Sequence, residues 1–419
     1  MEENIREIDT LVIGAGQAGV AMSEHLTRQE VPHLVLEKNR VAEAWRTGRW
    51  DSLVANGPAW HDRFPNMEFA DNHPDQFVPK EQVADYFEAY VDKFKMPVET
   101  GVEVLSACRD QGKGGFIVTT SKGTFKTQRI VSATGPFQIP IIPAIAPKNP
   151  DYHQIHSAKY RNPEQLPEGG VMVIGAGSSG VQIADELQRS GRDVYLSVGP
   201  HDRPPRTYRG RDFVWWLGVL GLWDIAANEP GKEHVTIAVS GANGGQTIDF
   251  RELAKQGLNL VGRTQSFTDG VVHFNNDLAD NINAGDQNYL SLLDRADQYV
   301  LANGLDLPEE PDARNLLADP ECMVNPIKSI DLKANNITTV IWATGYATNY
   351  DWLKVDAFDE NNQPKHHRGI STEPGVYFLG LPWLSRRGSS FIWGVWHDAK
   401  YICDQITIQR QYQQYQSAV

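Results

Sequence analysis

An α/β fold built from two Rossmann-like dinucleotide-binding domains is predicted by three features of this sequence. A glycine fingerprint occurs twice, as GAGQAG at residues 14–19 and GAGSSG at residues 175–180. Each copy follows a short apolar run, residues 10–13 and 171–174, and opens a stretch with helical spacing. At 419 residues the chain is also long enough to divide into two cores.

The glycines fit the phosphates of a dinucleotide for a physical reason. Gly14 and Gly175 make the tight turn, Gly16 and Gly177 let backbone approach a pyrophosphate, and Gly19 and Gly180 let helix pack on strand. Gln17 and Ala18, like Ser178 and Ser179, stand at the helix start, where free N–H groups hold an anion. Two such units in one chain suggest electron transfer between two bound dinucleotides.

The second strand of the first unit ends at Glu37, followed by Lys38. A carboxylate there accepts the hydroxyls of an adenosine ribose, which assigns this unit to FAD, the alternative being a surface glutamate at a strand end. In the second unit Ser197 is expected in the place of Glu37, and HDRPPRTYRGRD follows with His201, Arg203, Arg206, Arg209 and Arg211. Without a repelling acid, Arg203 and Arg206 are expected to meet a ribose 2′-phosphate, pointing to NADPH over NADH; a solvated loop is the alternative.

Two β-branched runs end in small residues, Ala133, Thr134 and Gly135, then Ala343, Thr344 and Gly345. Such ends allow close backbone approach. The first is expected to close the FAD unit and the second to mark a return to it. That divides the chain into a discontinuous FAD domain, 1–165 and 337–419, and an NADP domain, 166–336, with an aromatic-rich insertion around 205–275. In that insertion Trp215, Trp216, Val219, Leu220 and Trp223 gather at helical spacing, which reads more readily as a core or dimer helix than as a substrate lid. The C-terminal QRQYQQYQ reads as a solvated helical tail.

A net charge of −14 without a basic stripe argues against nucleic acid and anionic membrane surfaces, leaving small molecules as partners. The acidic start of the chain has no signal-peptide pattern, and no apolar run is long enough to span a bilayer, so a cytoplasmic location is expected. Cys108, Cys322 and Cys403 are widely separated and form no CxxC pair. No metal-ligand spacing occurs either. A homodimer is left open.

Four stretches make the chain resemble the flavin-containing (class B) monooxygenases and their bacterial relatives. They are the paired fingerprints with their two ATG segments, LVANGPAW with FPNMEFA, HSAKYRNP at residues 156–163, and LGLPWLSRRGSSFIWGVWHDAKYI near the C-terminus. The third is similar to the back half of the family's FxGxxxHSxxY, with Pro150 and Tyr152 at the places of its Phe and Gly. The resemblance implies FAD and NADPH as cofactors and Asn56, in the NGP segment, as the amide beside flavin N5. Asn-Gly is also a common turn pair, so a structural Asn56 stays open.

Trp45, Arg46, Trp50, Ser52 and Leu53 lie where related chains cover the flavin, although either tryptophan also suits a core. Gly380 belongs to the C-terminal pattern, and Ser389 and Ser390 are expected to begin a helix facing the flavin pyrimidine. His156 and Tyr160 read as linker or nicotinamide-side structure, and His397 as a packing residue.

The implied activity is NADPH-dependent monooxygenation: a C4a-(hydro)peroxyflavin formed with molecular oxygen passes one oxygen atom to a small soft nucleophile, an amine, a sulfide or an indole-like aromatic. Tyr160, where Baeyer–Villiger members carry Trp, leans the same way. The alternatives are Baeyer–Villiger oxygenation of a ketone, a flavin reductase serving a quinone or protein carrier, and a noncatalytic nucleotide sensor.

Overall fold

The computed structural model describes residues 5–112, 114–226 and 236–415. The first apolar run extends to β1 (Arg6–Ile13) and is followed by α1 (Gln17–Arg28) and β2 (His33–Glu37), parallel to β1. Two short excursions follow, α2 (Glu43–Thr47) and α3 (Lys80–Lys93). Strand β3 (Val98–Thr100) extends the sheet beyond β2, and a meander of β4 (Val104–Arg109), β5 (Phe116–Thr120) and β6 (Gly123–Ser132) brings the chain back beside β1.

The connection runs through β7 (Ile139–Pro140), which lies outside both large sheets, and brings β8 (His153–His156) into a second sheet built around the second fingerprint. Here β9 (Gly170–Ile174), α4 (Ser178–Arg189) and β10 (Val194–Ser197) repeat the first unit. Helices α5 (Phe213–Val219) and α6 (Phe250–Lys255), strand β11 (Asn259–Val261) and the small antiparallel sheet β12 (Thr264–Thr268), β13 (Val271–Phe274) and β14 (Ser329–Asp331) follow, with the long α7 (Leu278–Asn303) between β13 and β14. Strand β15 (Ile337–Trp342) completes the parallel order β11-β10-β9-β15-β8.

The second sheet therefore takes strands from 153–156 and 337–342, on both sides of the expected span 166–336. The strand ending in the second ATG belongs to that sheet, and the return comes after it. Strand β16 (Tyr346–Ala347) pairs with β7, β17 (Leu353–Lys354) joins β4, and β18 (His366–His367), β19 (Ile370–Ser371) and β20 (Val376–Phe378) add to the far side of β6. The chain ends in α8 (Ile392–Gln414), so the expected tail is helix through Gln414, with residue 416 outside the described part. Residues 227–235 of the expected insertion also lie outside it.

Each sheet has its own core. Leu11, Val12, Ala21 and Leu26 of the N-terminal unit pack with Val395, Ala399, Ile402 and Ile406 of α8, so both chain ends build the first domain. Burying one such side chain contributes about 1.5–3 kcal/mol. In the second domain Val171, Val173, Ile183, Leu187, Leu196 and Ile341 form the equivalent cluster. No helix among the described residues is long and apolar enough to cross a membrane.

Candidate functional site

The two fingerprint turns have nearly the same geometry. Gly14 and Gly175 sit at φ +103° and +105°, a region L side chains rarely adopt. A Cβ on Gly19 would lie 1.8 Å from the Gly14 carbonyl oxygen, and one on Gly180 1.7 Å from that of Gly175. Only glycine lets α1 and α4 start that close to their strands. Each turn also rests on its own ATG strand end: a Cβ on Gly14 would meet the Ala133 carbonyl oxygen at 2.7 Å, and one on Gly175 that of Ala343 at 2.5 Å. The ATG segments are thus matching supports, one per domain. Gly135 and Gly345 both have positive φ, Thr134 accepts from Gln138 Nε2, and the Thr344 hydroxyl donates to the Ile141 carbonyl.

In the first unit, Gly16 caps α1 with no side chain in the way and open space where a Cβ would stand. The N–H groups of the first turn are left for an anion. Ala18 is buried, and Gln17 donates through Nε2 to the Ser390 carbonyl at 2.7 Å. At the end of β2 the Glu37 carboxylate accepts from the backbone N–H of Ala15 at 2.9 Å and of Asn39 at 2.8 Å. Those two bonds aim the carboxylate at the mouth of the turn and leave lone pairs for ribose hydroxyls. Lys38 beside it is exposed.

The second unit departs from expectation in two ways. Ile13 stands opposite Leu36, and Ile174 opposite Ser197. Ser197 therefore occupies the place of Leu36, and the fully buried Val198 takes that of Glu37. The missing carboxylate is real, but the Ser197 hydroxyl is committed inside the sheet, donating to the Gly262 carbonyl and accepting from Thr264.

The second correction concerns the arginines. Arg203 is buried against Asp286, and Arg206 forms a bidentate pair with Asp212 while donating to the Asn56 carbonyl. Arg209 is held by Asp297. The loop expected to lack acids is neutralised by them, because guanidinium groups leave water only with carboxylate partners. Gly177 caps α4, and Ser178 turns its hydroxyl to the Ile237 carbonyl; Ser179 is exposed.

Residues expected over the flavin tie the two domains together. Trp45 packs against both cores, and Arg46 pairs with Asp85 and Glu88 on or beside α3. Trp50 and Leu53 are part of the second core with Tyr160, and Ser52 donates to Glu186 on α4. The apolar faces of Trp50 and Leu53 are buried in the neighbouring domain, which corrects their reading as flavin cover. Tyr160 donates to the same Glu186 at 2.6 Å. His156 accepts from the Ala158 N–H through Nδ1 and donates from Nε2 to the Gly345 carbonyl, and burial lowers its pKa.

Asn56 stands in this seam. Its Oδ1 accepts from Gln182 Nε2 at 3.0 Å, so Nδ2 is the amide group left over, and it donates to no described residue. The adjacent Gly57 N–H donates to Asp62, whose other oxygen is 2.8 Å from His61 Nδ1. His61 stacks on Trp223 at 5.5 Å and meets Trp393 edge-on at 5.4 Å. This His–Asp pair was missed in the sequence, although His61-Asp62 follows the NGP segment directly.

The aromatic-rich segment divides between two clusters. Trp216 is buried with Tyr289 and Leu293 of α7, while Trp223 packs against Phe391 and Trp393 from the chain end. Ser389 and Ser390 precede α8, which begins at Ile392 with Phe391 as its cap, so they do not begin the helix. Ser389 instead pins the turn by accepting from the N–H groups of Ser385 and Arg386. Gly380, at φ +82°, passes so close to α1 that a Cβ would lie 2.8 Å from that of Ala18.

Among the described residues no cluster of His, Cys, Asp or Glu has metal-holding geometry, and all three cysteines are free: Cys108 is exposed, Cys322 partly buried and Cys403 buried.

The pyridine nucleotide-disulphide oxidoreductase family model matches residues 11–205. An uncharacterised CzcO-like oxidoreductase of Geobacillus kaustophilus is 34% identical over 404 residues, spanning 95% of this chain and 98% of its own. The probable indole-3-pyruvate monooxygenase YUCCA4 of Arabidopsis thaliana is 26% identical over 410 residues, 95% of this chain and 90% of its own. Among solved structures, the flavin-containing monooxygenase of Stenotrophomonas maltophilia superimposes with a TM-score of 0.67 at 19% identity, over 97% of this chain and 100% of that one. An oxidised steroid monooxygenase bound to NADP does so with a TM-score of 0.55 at 16% identity, over 97% and 85%.

Proposed function

The chain belongs to the flavin-containing monooxygenase family, among its CzcO-type bacterial relatives, and on that premise we propose that it uses FAD and NADPH to place one atom of molecular oxygen on a small soft nucleophile. An amine nitrogen, a sulfide sulfur or an indole-like aromatic carbon is the expected acceptor. The observation that carries this reading is the pair of fingerprint cradles, each supported by its own ATG strand, in a chain whose described cysteines form no pair. Electrons can pass from one dinucleotide to the other, and no dithiol is placed to receive them.

The residues fit the cofactors. Gly16 leaves room at the α1 N-terminus, and the Glu37 carboxylate is oriented for a ribose bearing free hydroxyls. At the second turn the buried Val198 offers no charge to repel a 2′-phosphate. With Arg203 and Arg206 engaged, the exposed Arg263, just beyond the end of neighbouring β11, is the cation we assign to that phosphate.

FAD, when bound, supplies the hydride acceptor and the centre at which oxygen is activated. The protein's part is to exclude water and to hold hydrogen bonds without offering loose protons. Asn56 suits that part: Gln182 fixes its amide orientation, and its Nδ2 would donate to the flavin edge without titrating. Gln182 lies on α4, so nucleotide binding in the second domain bears directly on that orientation.

The test is incubation with NADPH and ¹⁸O₂ in the presence of an amine, a sulfide, an indole and a ketone. One labelled oxygen atom in an amine, sulfide or indole product supports the reading, and a labelled ester from the ketone alone would make the Baeyer–Villiger alternative correct. NADPH oxidation that reduces a quinone and labels no product would replace it with the reductase. Asn56→Ala should keep FAD bound and raise hydrogen peroxide release at the expense of product by several-fold; unchanged coupling would remove Asn56 from the site.

A further inference from the structure

The His61–Asp62 pair has the parts of a positioned base. Asp62 is pinned first: one carboxylate oxygen accepts from the Gly57 N–H at 2.9 Å, and a Cβ on Gly57 would lie 2.4 Å from the other, so the turn admits this carboxylate only because residue 57 is glycine. An ionised carboxylate only accepts hydrogen bonds. The 2.8 Å contact between its second oxygen and His61 Nδ1 therefore places the ring proton on Nδ1 and the lone pair on Nε2. Nε2 has no partner among the described residues, yet it is not sealed in as the indole nitrogen of neighbouring Trp393 is. An imidazole held in one tautomer by a carboxylate, with its other nitrogen open, meets the requirements of a general base.

Two segments that border the first nucleotide cradle meet at this ring. Through Asp62 it is tied to Gly57, the residue after Asn56. From the other side Trp393, on the first turn of α8, meets it at 5.4 Å, and the Ser390 carbonyl just before that helix accepts from Gln17 at the first fingerprint. Trp60 and Trp223 add ring faces at 5.4 and 5.5 Å, so a base here works against an apolar aromatic wall.

Of the three acceptors named above, only one needs such a base. A sulfide sulfur and an indole carbon offer electrons at neutral pH, whereas an aliphatic amine arrives protonated, with no lone pair to take an oxygen atom. We propose that His61 Nε2 removes that proton, with Asp62 as the positioning residue behind it; the assignment rests on the oxygenation reading. The ammonium N–H bond breaks, the Nε2–H bond forms, and the electron pair left on the amine is the nucleophile that accepts oxygen. Asp62 meets the charge that appears on the imidazole. For a tertiary amine the balance closes without a further reactant: ammonium, NADPH and O₂ give amine oxide, NADP⁺ and water, and the proton that His61 removes is the one that water formation consumes.

The test sets a matched pair, N,N-dimethylbenzylamine and benzyl methyl sulfide, before the FAD-loaded full chain with NADPH and ¹⁸O₂, as wild type and as His61→Gln. The glutamine keeps a donor for Asp62 and cannot take up a proton. The ratio of amine to sulfide kcat/KM should fall at least about tenfold in the variant, with FAD content and the amine dissociation constant, read from tryptophan fluorescence, little changed. Raising the buffer toward the amine's own pKa should restore that ratio, because free base then arrives from solution. An unchanged ratio, or no rescue by alkaline buffer, overturns the assignment, as does a wild type that labels the sulfide and never the amine; in each case labelled sulfoxide leaves the oxygenation reading standing. A wild type that labels neither product overturns that reading and the assignment together. If His61→Gln does not fold, Asp62→Asn, which keeps an acceptor for the Gly57 N–H, takes its place with the same expected fall, and an unchanged ratio there also overturns the proposal.

Discussion

The two fingerprint units are built alike and put to different uses, and the difference shows where a repeated fold becomes a directed machine. Their turns superpose residue for residue, from Gly14 and Gly175 to the matching helices α1 and α4. Beyond the turn they diverge. The first ends in a carboxylate held by two backbone N–H groups, and the second in a buried valine. Along the helices, the position held by His25 in α1 faces the C-terminal helix through Trp396, whereas its counterpart Glu186 in α4 takes hydroxyls from Ser52 and Tyr160. The first helix is locked into its own domain, and the second is fastened to its neighbour.

The sharpest way to break the comparison is to add one methyl group at each third glycine. Gly19→Ala and Gly180→Ala each place a Cβ under 2 Å from a backbone carbonyl, which no side-chain movement relieves. Each should cost upwards of about 3 kcal/mol, the range of severe overpacking. Gly19→Ala should yield protein without FAD, while Gly180→Ala should keep a yellow first domain that NADPH no longer bleaches. If both variants lose FAD alike, the domains do not fold separately enough for the contrast to hold.

Arg206→Met probes the second unit next. It strips the partner from Asp212 and should destabilise by about 3–5 kcal/mol, less whatever solvent reaches that carboxylate, with the ratio of NADPH to NADH activity unchanged. A stable variant whose KM rises only for NADPH would return Arg206 to the coenzyme. The matching change in the first unit, Glu37→Gln, keeps one acceptor and removes the charge. FAD affinity should fall about tenfold, or about 1.4 kcal/mol, as measured by flavin release on dilution.

These contrasts also mark what the sequence could tell. The turns and Glu37 were legible because each depends on local backbone geometry within one βαβ unit. The support each ATG strand end gives to its own domain's turn depends instead on long-range strand order, and the second ATG was expected to mark the return. Arg203 and Arg206 were misread for different reasons. The acid that claims Arg203, Asp286, arrives from α7, which nothing in the loop announces, whereas Asp212, which claims Arg206, closes the same arginine-rich segment and was passed over there. Ser197 was misplaced by one residue although the spacing was legible, since Glu37 stands 23 residues after Gly14 and Val198 23 residues after Gly175, and the pairing agrees: Ile174 faces Ser197 as Ile13 faces Leu36. Trp50 and Leu53 read as flavin cover since they follow the ribose acid closely, but whose core buries them is a tertiary decision.

The smallest expected effect separates the two helices by pH. His25 is buried against Trp396, its ring 4.3 Å from the indole, with Nε2 donating to the Trp396 carbonyl. Burial pushes its pKa down to about 4 from an ordinary value of 6.5. Between those values the unfolded chain takes up a proton that the folded protein refuses. The stabilisation is therefore complete above about pH 6.5 and drains away as pH falls toward 4, at up to about 1.4 kcal/mol per pH unit. Other buried histidines, His33, His156 and His201 among them, are lowered in the same direction, so the whole protein should lose stability over this range. His25→Gln keeps a donor for the Trp396 carbonyl and cannot titrate. Against wild type it should save about 1–2 kcal/mol between pH 6.5 and 5, read as a smaller fall in melting temperature. Glu186→Gln, at the same position of α4, should leave that slope unchanged while loosening the strap to Ser52 and Tyr160. Equal slopes in wild type and His25→Gln would mean that the α1–α8 contact is not where the protein feels acid.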